Sequence, residues 1–249
     1  MTFSLAAAGV GVVLLDIEGT TTPIEFVHRT LFAFARTRVR DYLAARTPHA
    51  EIDAALDGLR EEHAADVAAG QSPPPWRDDP ADARLESVAV YVGWLIDRDR
   101  KSRWLKELQG RIWEEGYLRG ALRGEVYPDV PAALRRWTAA GVRVGIFSSG
   151  SVLAQKLLFA HSTAGDLTPL LRWHFDTAVG PKTEAASYLR IAEQVSSPPD
   201  RLLFISDVTK EIDAARAAGF QTLLCVRPPA APPVNADTYP IVRTFEEIG

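Results

Sequence analysis

Three carboxylates stand directly behind two apolar runs of the chain, at points where buried strands would end. Asp16 and Glu18 follow the run at residues 11–15, and Asp207 follows the run at residues 201–205. Carboxylate oxygens are hard ligands of the kind that Mg²⁺ takes in proteins. A carboxylate can also act as a nucleophile and form an aspartyl-phosphate. The pattern favours a Mg²⁺ site with Asp16 as nucleophile and Glu18 either serving as acid and base or holding the metal.

A second group of residues is suited to bind an anion. Ser148 and Ser149 precede a predicted helix that begins near Ser151, and the free N–H groups of a helix N-terminus bind anions. Lys182 adds a point charge of the kind that binds phosphate. Phosphate monoesters need rate accelerations of up to about 10²¹-fold, of which one base supplies only about 10²–10⁴. A nucleophile, a metal and an anion site together therefore favour phosphoryl transfer.

The predicted sheet brings these residues to one edge. Four short apolar runs without alternation are typical of parallel strands covered on both faces. Helical patterns separate the last three runs, which predicts a doubly wound, mainly parallel, Rossmann-like α/β sheet. Ligands bind such sheets at the carboxyl ends of the strands. The predicted strands cover residues 11–15, 142–147, 201–205 and 222–226, and the helices cover residues 151–159, 182–195 and 211–218.

A helical module interrupts this pattern after the first strand. Residues 24–123 are rich in Ala, Leu, Arg and Glu and contain no convincing strand. We predict an all-helical cap at 24–123, inserted into an α/β core formed by residues 1–23 and 124–249. Candidate helices cover residues 25–45, 50–69, 81–97 and 102–118, a proline-rich surface tail covers 228–240, and a last edge strand lies within 239–245.

The composition excludes several classes of protein. The 249 residues include 28 Lys and Arg against 32 Asp and Glu, a formal net charge of −4, whereas a nucleic-acid binder usually has a basic surface. The apolar run at 5–15 is shorter than the roughly 20 residues that span a bilayer, and it lacks the basic region of a secretory leader. The single cysteine, Cys225, cannot form an intrachain disulfide, which fits a reducing cytoplasm. We expect no nucleic-acid or membrane partner, and a cytoplasmic monomer.

The candidate residues occur in the order of four motifs of the haloacid dehalogenase superfamily of aspartyl phosphatases, which the chain resembles. The first motif is Asp16-Ile17-Glu18-Gly19-Thr20, and the other three centre on Ser149, on Lys182 and on Asp207 with Glu211. The superfamily usually has a second Asp where this chain has Glu18. That acid typically protonates the leaving group, so the longer side chain of Glu18 would be aimed differently.

Two stretches make the resemblance more specific. Residues 15–24, LDIEGTTTPI, and residues 148–159, SSGSVLAQKLLF, are similar to signatures of the acireductone synthases, the bifunctional enolase-phosphatases of methionine salvage. The resemblance extends over nearly the whole chain. It implies an enzyme with one Mg²⁺ per subunit that enolises 2,3-diketo-5-methylthiopentyl 1-phosphate. The enzyme would then remove the phosphate to give the acireductone, 1,2-dihydroxy-3-keto-5-methylthiopentene.

The resemblance also assigns roles by position, with the helical module as a cap that closes over the site. It implies a metal site and a site for the substrate phosphate. The metal residues are Asp16, Glu18 and Asp207, and the phosphate residues are Ser148, Ser149 and Lys182.

Several alternatives stay open at this point. The chain could be a phosphatase or phosphomutase of the same superfamily acting on another small phosphate ester, or a module that binds phosphorylated ligands without turnover. Glu211 could bind the metal through water, orient Lys182 or only favour the helix dipole. Of Ser148 and Ser149, one could bind phosphate while the other caps a helix. Lys182 would open a helix, where its charge opposes the dipole, and this favours a functional role.

Overall fold

The α/β part of the chain is built on a sheet of parallel strands. The computed structural model describes residues 2–46, 50–98, 100, 102–233 and 238–249. Within these ranges six strands form one sheet in the order β3-β2-β1-β4-β5-β6, and every neighbouring pair is parallel. The strands are β1 Val12–Leu15, β2 Arg143–Phe147, β3 Trp173–Phe175, β4 Leu202–Ser206, β5 Gln221–Cys225 and β6 Ile241–Val242. The predicted parallel α/β fold is confirmed.

Helices account for most of the remaining described residues. A π-helical segment, Phe26–Phe32, leads directly into the first α-helix, where the sequence predicts one continuous helix over 25–45. The α-helices are α1 Ala33–Ala44, α2 Ala50–Ala68, α3 Ala81–Asp97, α4 Arg103–Leu118, α5 Val130–Ala139, α6 Val152–Ala160, α7 Ala185–Gln194 and α8 Thr209–Ala217. Short 3₁₀ helices cover Thr168–Leu170, Pro199–Arg201 and Phe245–Glu247.

The central strand β1 is buried on both faces, which explains its unbroken apolar sequence. Val12 and Leu14 belong to the core cluster that contains Tyr188 and Ile191 of α7. Successive side chains of a strand point to opposite faces, so Val13 and Leu15, which are also fully buried, pack on the other face. A polar residue that follows β1 therefore stands at the edge of a dry core.

Two predictions about secondary structure need correction. The sequence predicts no strand at Trp173–Phe175, yet β3 pairs with β2 at the sheet edge. It also predicts that Lys182 opens a helix, but α7 begins at Ala185. Lys182 lies instead in the turn before that helix, so the argument that its charge opposes the dipole from inside the first helical turn was wrong.

The chain divides into two compact units. One comprises Met1–Phe26 and Arg123–Gly249, and the other comprises Val27–Leu122. In the second unit α1 packs against α3 and α4, and α2 packs against the same two helices. No helix in the described ranges combines the length and the apolar character needed to cross a membrane. Part of the predicted surface tail, residues 234–237, lies outside the described residues.

Candidate active site

Asp16 continues β1 and places its carboxylate at the carboxyl edge of the sheet. Its backbone N–H donates to Ile205 O of β4 at 3.0 Å, so the ladder fixes the main chain of Asp16. The residue is only 5% exposed. Its Oδ1 accepts a hydrogen bond from the Ile17 N–H at 2.8 Å. The strand pairing thus delivers a buried carboxylate to the place where parallel sheets bind ligands.

Lys182 reaches this carboxylate from the turn before α7. Its Nζ lies 2.6 Å from Asp16 Oδ1 and 2.6 Å from Glu211 Oε2. The lysine is 6% exposed, and the Tyr188 hydroxyl donates to its carbonyl oxygen at 2.7 Å. A buried charge is costly unless it is paired. The two carboxylates therefore hold the ammonium group in one place.

Ser206 and Glu211 complete this buried cluster. The Ser206 hydroxyl lies 3.2 Å from Asp16 Oδ2 and 2.8 Å from Glu211 Oε2, and it accepts a hydrogen bond from the Val208 N–H at 3.1 Å. Of the interpretations left open for Glu211, the contact with Lys182 supports an orienting role. Ser206 was missed as a site residue, and the signal that could have found it is its place directly before Asp207.

Burial and the neighbouring charges shift the pKa values of Lys182, Glu211 and Asp207. Burial alone would lower the pKa of Lys182, but the carboxylates of Asp16 and Glu211 hold this pKa above its usual value. Burial, followed by repulsion from Asp16, raises the pKa of Glu211. Burial and repulsion from Asp16 and Glu211 raise the pKa of Asp207 to about 7. Lys182 is therefore a cation at neutral pH, and it is in direct contact with two carboxyl groups, those of Asp16 and Glu211.

The turn that follows Asp16 brings its backbone close to Asp207. Ile17 O accepts hydrogen bonds from the N–H groups of residues 20–22 at 2.9–3.2 Å, which closes a tight turn around Glu18. Gly19 has a φ of +67°, and a Cβ at this position would overlap Asp207 Oδ2. Any other residue here would be strained and would have to displace the Asp207 carboxylate. The hydroxyls of Thr20 and Thr22 are buried and have no hydrogen-bond partner within the described residues.

Ser148 and Ser149 stand at the neighbouring strand end. Leu15 pairs with Ile146 in the register of β1 and β2, so both serines follow β2 at the edge that carries Asp16. Ser148 is buried and its Oγ accepts a hydrogen bond from the Gly150 N–H at 3.2 Å, whereas Ser149 is partly exposed. Across the described ranges no hydrogen bond joins either serine to Asp16 or Lys182. The predicted phosphate residues Ser148, Ser149 and Lys182 therefore lie at the same edge of the sheet, but within the described residues the serines form no hydrogen bond with Lys182.

Gln155 of α6 fixes the loop that carries these serines. Its Nε2 donates to Gly150 O at 3.0 Å and to Phe175 O at 2.8 Å. Ser151 caps the helix, because its hydroxyl accepts a hydrogen bond from the Ala154 N–H at 3.3 Å. The start of α6 is thus held against β3 by a buried side chain.

The predicted metal residues do not form a ready cluster of side chains. In the part of the chain that the structure describes, no three His, Cys, Asp or Glu side chains come together as a metal site. Mg²⁺ does not require three, because it is usually bound by one or two carboxylates together with waters and substrate phosphates. The donor set fits this pattern, since Asp16 and Asp207 supply two carboxylates at the same edge of the sheet. Burial is the main cause of the raised pKa of Asp207, and repulsion from Asp16 adds to it; a cation would relieve that repulsion.

A cavity of about 740 Å³ opens beside Asp207. Its lining includes Gly19, Glu25, Tyr127 and Arg227 of the α/β unit. Asp207 also lines this cavity, so a small molecule that enters it can reach the Asp207 side chain.

Known proteins are similar to the chain over nearly its whole length. A family model described as haloacid dehalogenase-like hydrolase matches residues 10–219. Enolase-phosphatase E1 of Synechococcus elongatus is 50% identical over 235 residues, which are 94% of this chain and 96% of that protein. Enolase-phosphatase E1 of Klebsiella oxytoca is 44% identical over 236 residues, 95% of each chain. The chain belongs to this enolase-phosphatase family of haloacid dehalogenase-like hydrolases.

A solved structure agrees with this membership. The crystal structure of the UTR4 protein from Saccharomyces cerevisiae matches with a TM-score of 0.76 and 32% identity, and the match covers 95% of this chain and 99% of that one. The resemblance predicted from the four motifs is confirmed, as is the prediction of a hydrolase of the enolase-phosphatase type.

Proposed function

We propose that this enolase-phosphatase converts 2,3-diketo-5-methylthiopentyl 1-phosphate to its enol and then to the acireductone, in methionine salvage. The observation that carries the proposal is the Asp16 carboxylate, which is buried at the carboxyl edge and held by Lys182 at 2.6 Å. The names and identities of the relatives support the choice of substrate.

Asp16 is the nucleophile in this proposal. A carboxylate oxygen of Asp16 attacks the phosphorus atom, and the bond from phosphorus to the substrate oxygen breaks. That oxygen takes a proton from the acid, which we assign to Glu18. Water then attacks the aspartyl-phosphate, gives a proton back to Glu18, and releases inorganic phosphate and the free Asp16 carboxylate.

Lys182 and Ser149 are the residues that hold the phosphate. A lysine ammonium has three N–H donors, of which Asp16 and Glu211 accept two. The third donor is available to a phosphate oxygen. Ser149 is the more accessible of the two serines, while Ser148 binds the Gly150 N–H, so Ser148 mainly shapes the loop.

Asp16 and Asp207 would hold one Mg²⁺ ion, while Glu18, which the sequence also offers as a metal ligand, would act as the acid instead. When bound, the ion supplies positive charge that offsets the repulsion between carboxylate and phosphate and polarises the carbonyl for enolisation. The position of Asp207 supports this assignment, because Asp16 and Glu211 lie close enough to add, after burial, to the raised pKa of its carboxyl group.

Residues 24–123 would act as a cap that excludes water and selects the substrate. The compact helical unit Val27–Leu122 supports this proposal. We also propose that the protein is a cytoplasmic monomer. Cys225 is the only cysteine, so no intrachain disulfide can form, and this fits a reducing compartment.

The change Asp16→Asn separates the two half-reactions. Enolisation needs a base and a polarised carbonyl but no phosphoryl acceptor. We therefore expect the variant to lose phosphate release while the absorbance of the enol still accumulates. The matched control is Asp166→Asn, which changes an exposed carboxylate of the same unit and should leave both signals unchanged. Phosphate release by Asp16→Asn at the wild-type rate would contradict the proposal, and faster turnover of common sugar phosphates than of the diketone would favour another substrate.

A further inference from the structure

Arg227 is a buried arginine that contacts the turn after Asp16. It follows β5 and is 7% exposed. Its Nε and Nη2 donate to Thr20 O at 3.0 and 2.8 Å. Thr20 lies two residues after Glu18, so the guanidinium group fixes the peptide plane at the end of the turn that carries this acid.

The guanidinium group is itself held in place by an ion pair and two aromatic rings. Its Nη1 lies 2.6 Å from Asp129 Oδ2, which also accepts a hydrogen bond from the Phe245 N–H at 2.5 Å. The rings of Tyr127 and Phe245 lie 4.4 and 4.5 Å from the guanidinium carbon. A planar group that packs against two rings and forms an ion pair has little freedom to move.

The same contacts join two distant parts of the chain. The Tyr127 N–H donates to Thr21 O at 2.9 Å, next to the carbonyl that Arg227 binds. The turn at residues 18–22 and the segment at 127–129 are therefore held together by one backbone hydrogen bond and one arginine. This cluster also touches the candidate site, because Gly19 in the turn lies against Asp207.

We propose that Arg227 is a positioning residue that fixes the turn carrying Glu18, and so aims the Glu18 carboxylate at the leaving group. The proposal rests on the proposed function insofar as Glu18 is the acid. The anchoring of the turn by Arg227 does not depend on that role. Asp129 contributes to the same arrangement, because its ion pair with Arg227 orients the guanidinium group toward Thr20 O.

The first test measures amide hydrogen exchange in the metal-free protein. Arg227→Lys keeps the charge beside Asp129 but removes the planar fork that binds Thr20 O. We expect the amides of residues 20–22 to exchange about tenfold faster than in the wild type, relative to the amides of β1. The matched control is Arg136→Lys, since Arg136 donates to Phe245 O and Ile248 O in the same C-terminal segment but not to the turn. Equal exchange in the two variants would overturn the proposal.

The second test measures turnover of the diketone phosphate. A misaimed acid lowers the rate of the chemical step, so kcat for phosphate release should fall about tenfold in Arg227→Lys while KM stays within about twofold. Arg136→Lys should change neither constant. Asp129→Asn keeps the size of its side chain and should reproduce both effects more weakly, which covers the case in which Arg227→Lys folds poorly. If the amides of the turn exchange faster but kcat is unchanged, Arg227 does not position Glu18 and the proposal is wrong. Failure of the proposed function would be seen in a different experiment, as phosphate release by Asp16→Asn at the wild-type rate.

Discussion

The two ends of the sheet bear polar groups of very different kinds. At the amino end of β1, the contacts run from side chains to the backbone: Gln221 Nε2 donates to Ala8 O at 2.8 Å, and Arg201 Nε donates to Gly9 O at 3.3 Å. At the carboxyl end, the buried side chains of Asp16 and Lys182 contact each other directly.

The amino end is built for stability, and the carboxyl end is not. Lys182 is paired there with two buried carboxylates, those of Asp16 and Glu211, and burying charges is expensive even when they are paired. Groups with strongly shifted pKa values in a cleft are typical of functional sites. The difference between the two ends supports the proposal that the site lies at the carboxyl edge of the sheet, independently of any likeness to other proteins.

Removal of the cation is the strongest way to break this comparison. Lys182→Met should lower phosphate release about 10²–10³-fold, because it deletes a fixed charge that stabilises the transition state. It also leaves Asp16 and Glu211 buried without the cation that contacts both of them, so the midpoint of urea denaturation should fall. Arg201→Met makes the equivalent change at the amino end and should leave turnover unchanged. Equal activity losses in the two variants would remove the distinction between the two edges.

Two glycines at the two ends provide a second matched pair. Gly9 and Gly19 have φ values of +68° and +67°, so alanine costs each of them about 1–2 kcal/mol of stability. A Cβ at Gly9 meets no atom within 4 Å, whereas one at Gly19 overlaps Asp207. We expect Gly19→Ala to lose about ten- to a hundredfold in turnover, since small displacements of reacting groups are costly, and Gly9→Ala to lose none. If both variants keep full activity, the position of Asp207 does not matter for the reaction.

The carboxyl edge was predictable because strand ends are readable from local sequence. Asp16 and Asp207 follow unbroken apolar runs, and the rule for parallel sheets places both at the ligand site. The same reasoning failed for β3, which has only three residues, Trp173–Phe175, and no aliphatic run. It also failed for the turn at Lys182, because contacts such as the hydrogen bond from Tyr188 depend on the folded chain.

The anchor of the first turn could not be predicted from sequence. Arg227 binds the carbonyl of a residue 207 positions away and a carboxylate 98 positions away. No local pattern encodes such pairs, and an arginine before two prolines reads as a surface loop. The sequence thus predicts which candidate side chains meet at the edge of the sheet better than which groups hold them in place.

The smallest effect concerns Asp207 and the pH dependence of stability in the metal-free protein. Its pKa is about 7 in the folded protein and about 3.9 in an unfolded chain. Between these values the folded state binds the extra proton, so the wild type should lose stability relative to Asp207→Asn as pH rises from about 4 to about 7. Asp207 is exposed at one side, and solvent screening makes the loss smaller than the shift alone implies.

Thermal unfolding of both proteins across this pH range measures the difference, which should level off above about pH 8. Saturating Mg²⁺ should abolish this loss of stability in the wild type, because a bound cation favours the ionised form of Asp207. It should have no such effect on Asp207→Asn, which lacks the carboxylate. A difference between the two proteins that does not vary with pH would mean that neither burial nor Asp16 and Glu211 raise the pKa of Asp207. The contrast between the two edges would then rest on Lys182 and its two partners.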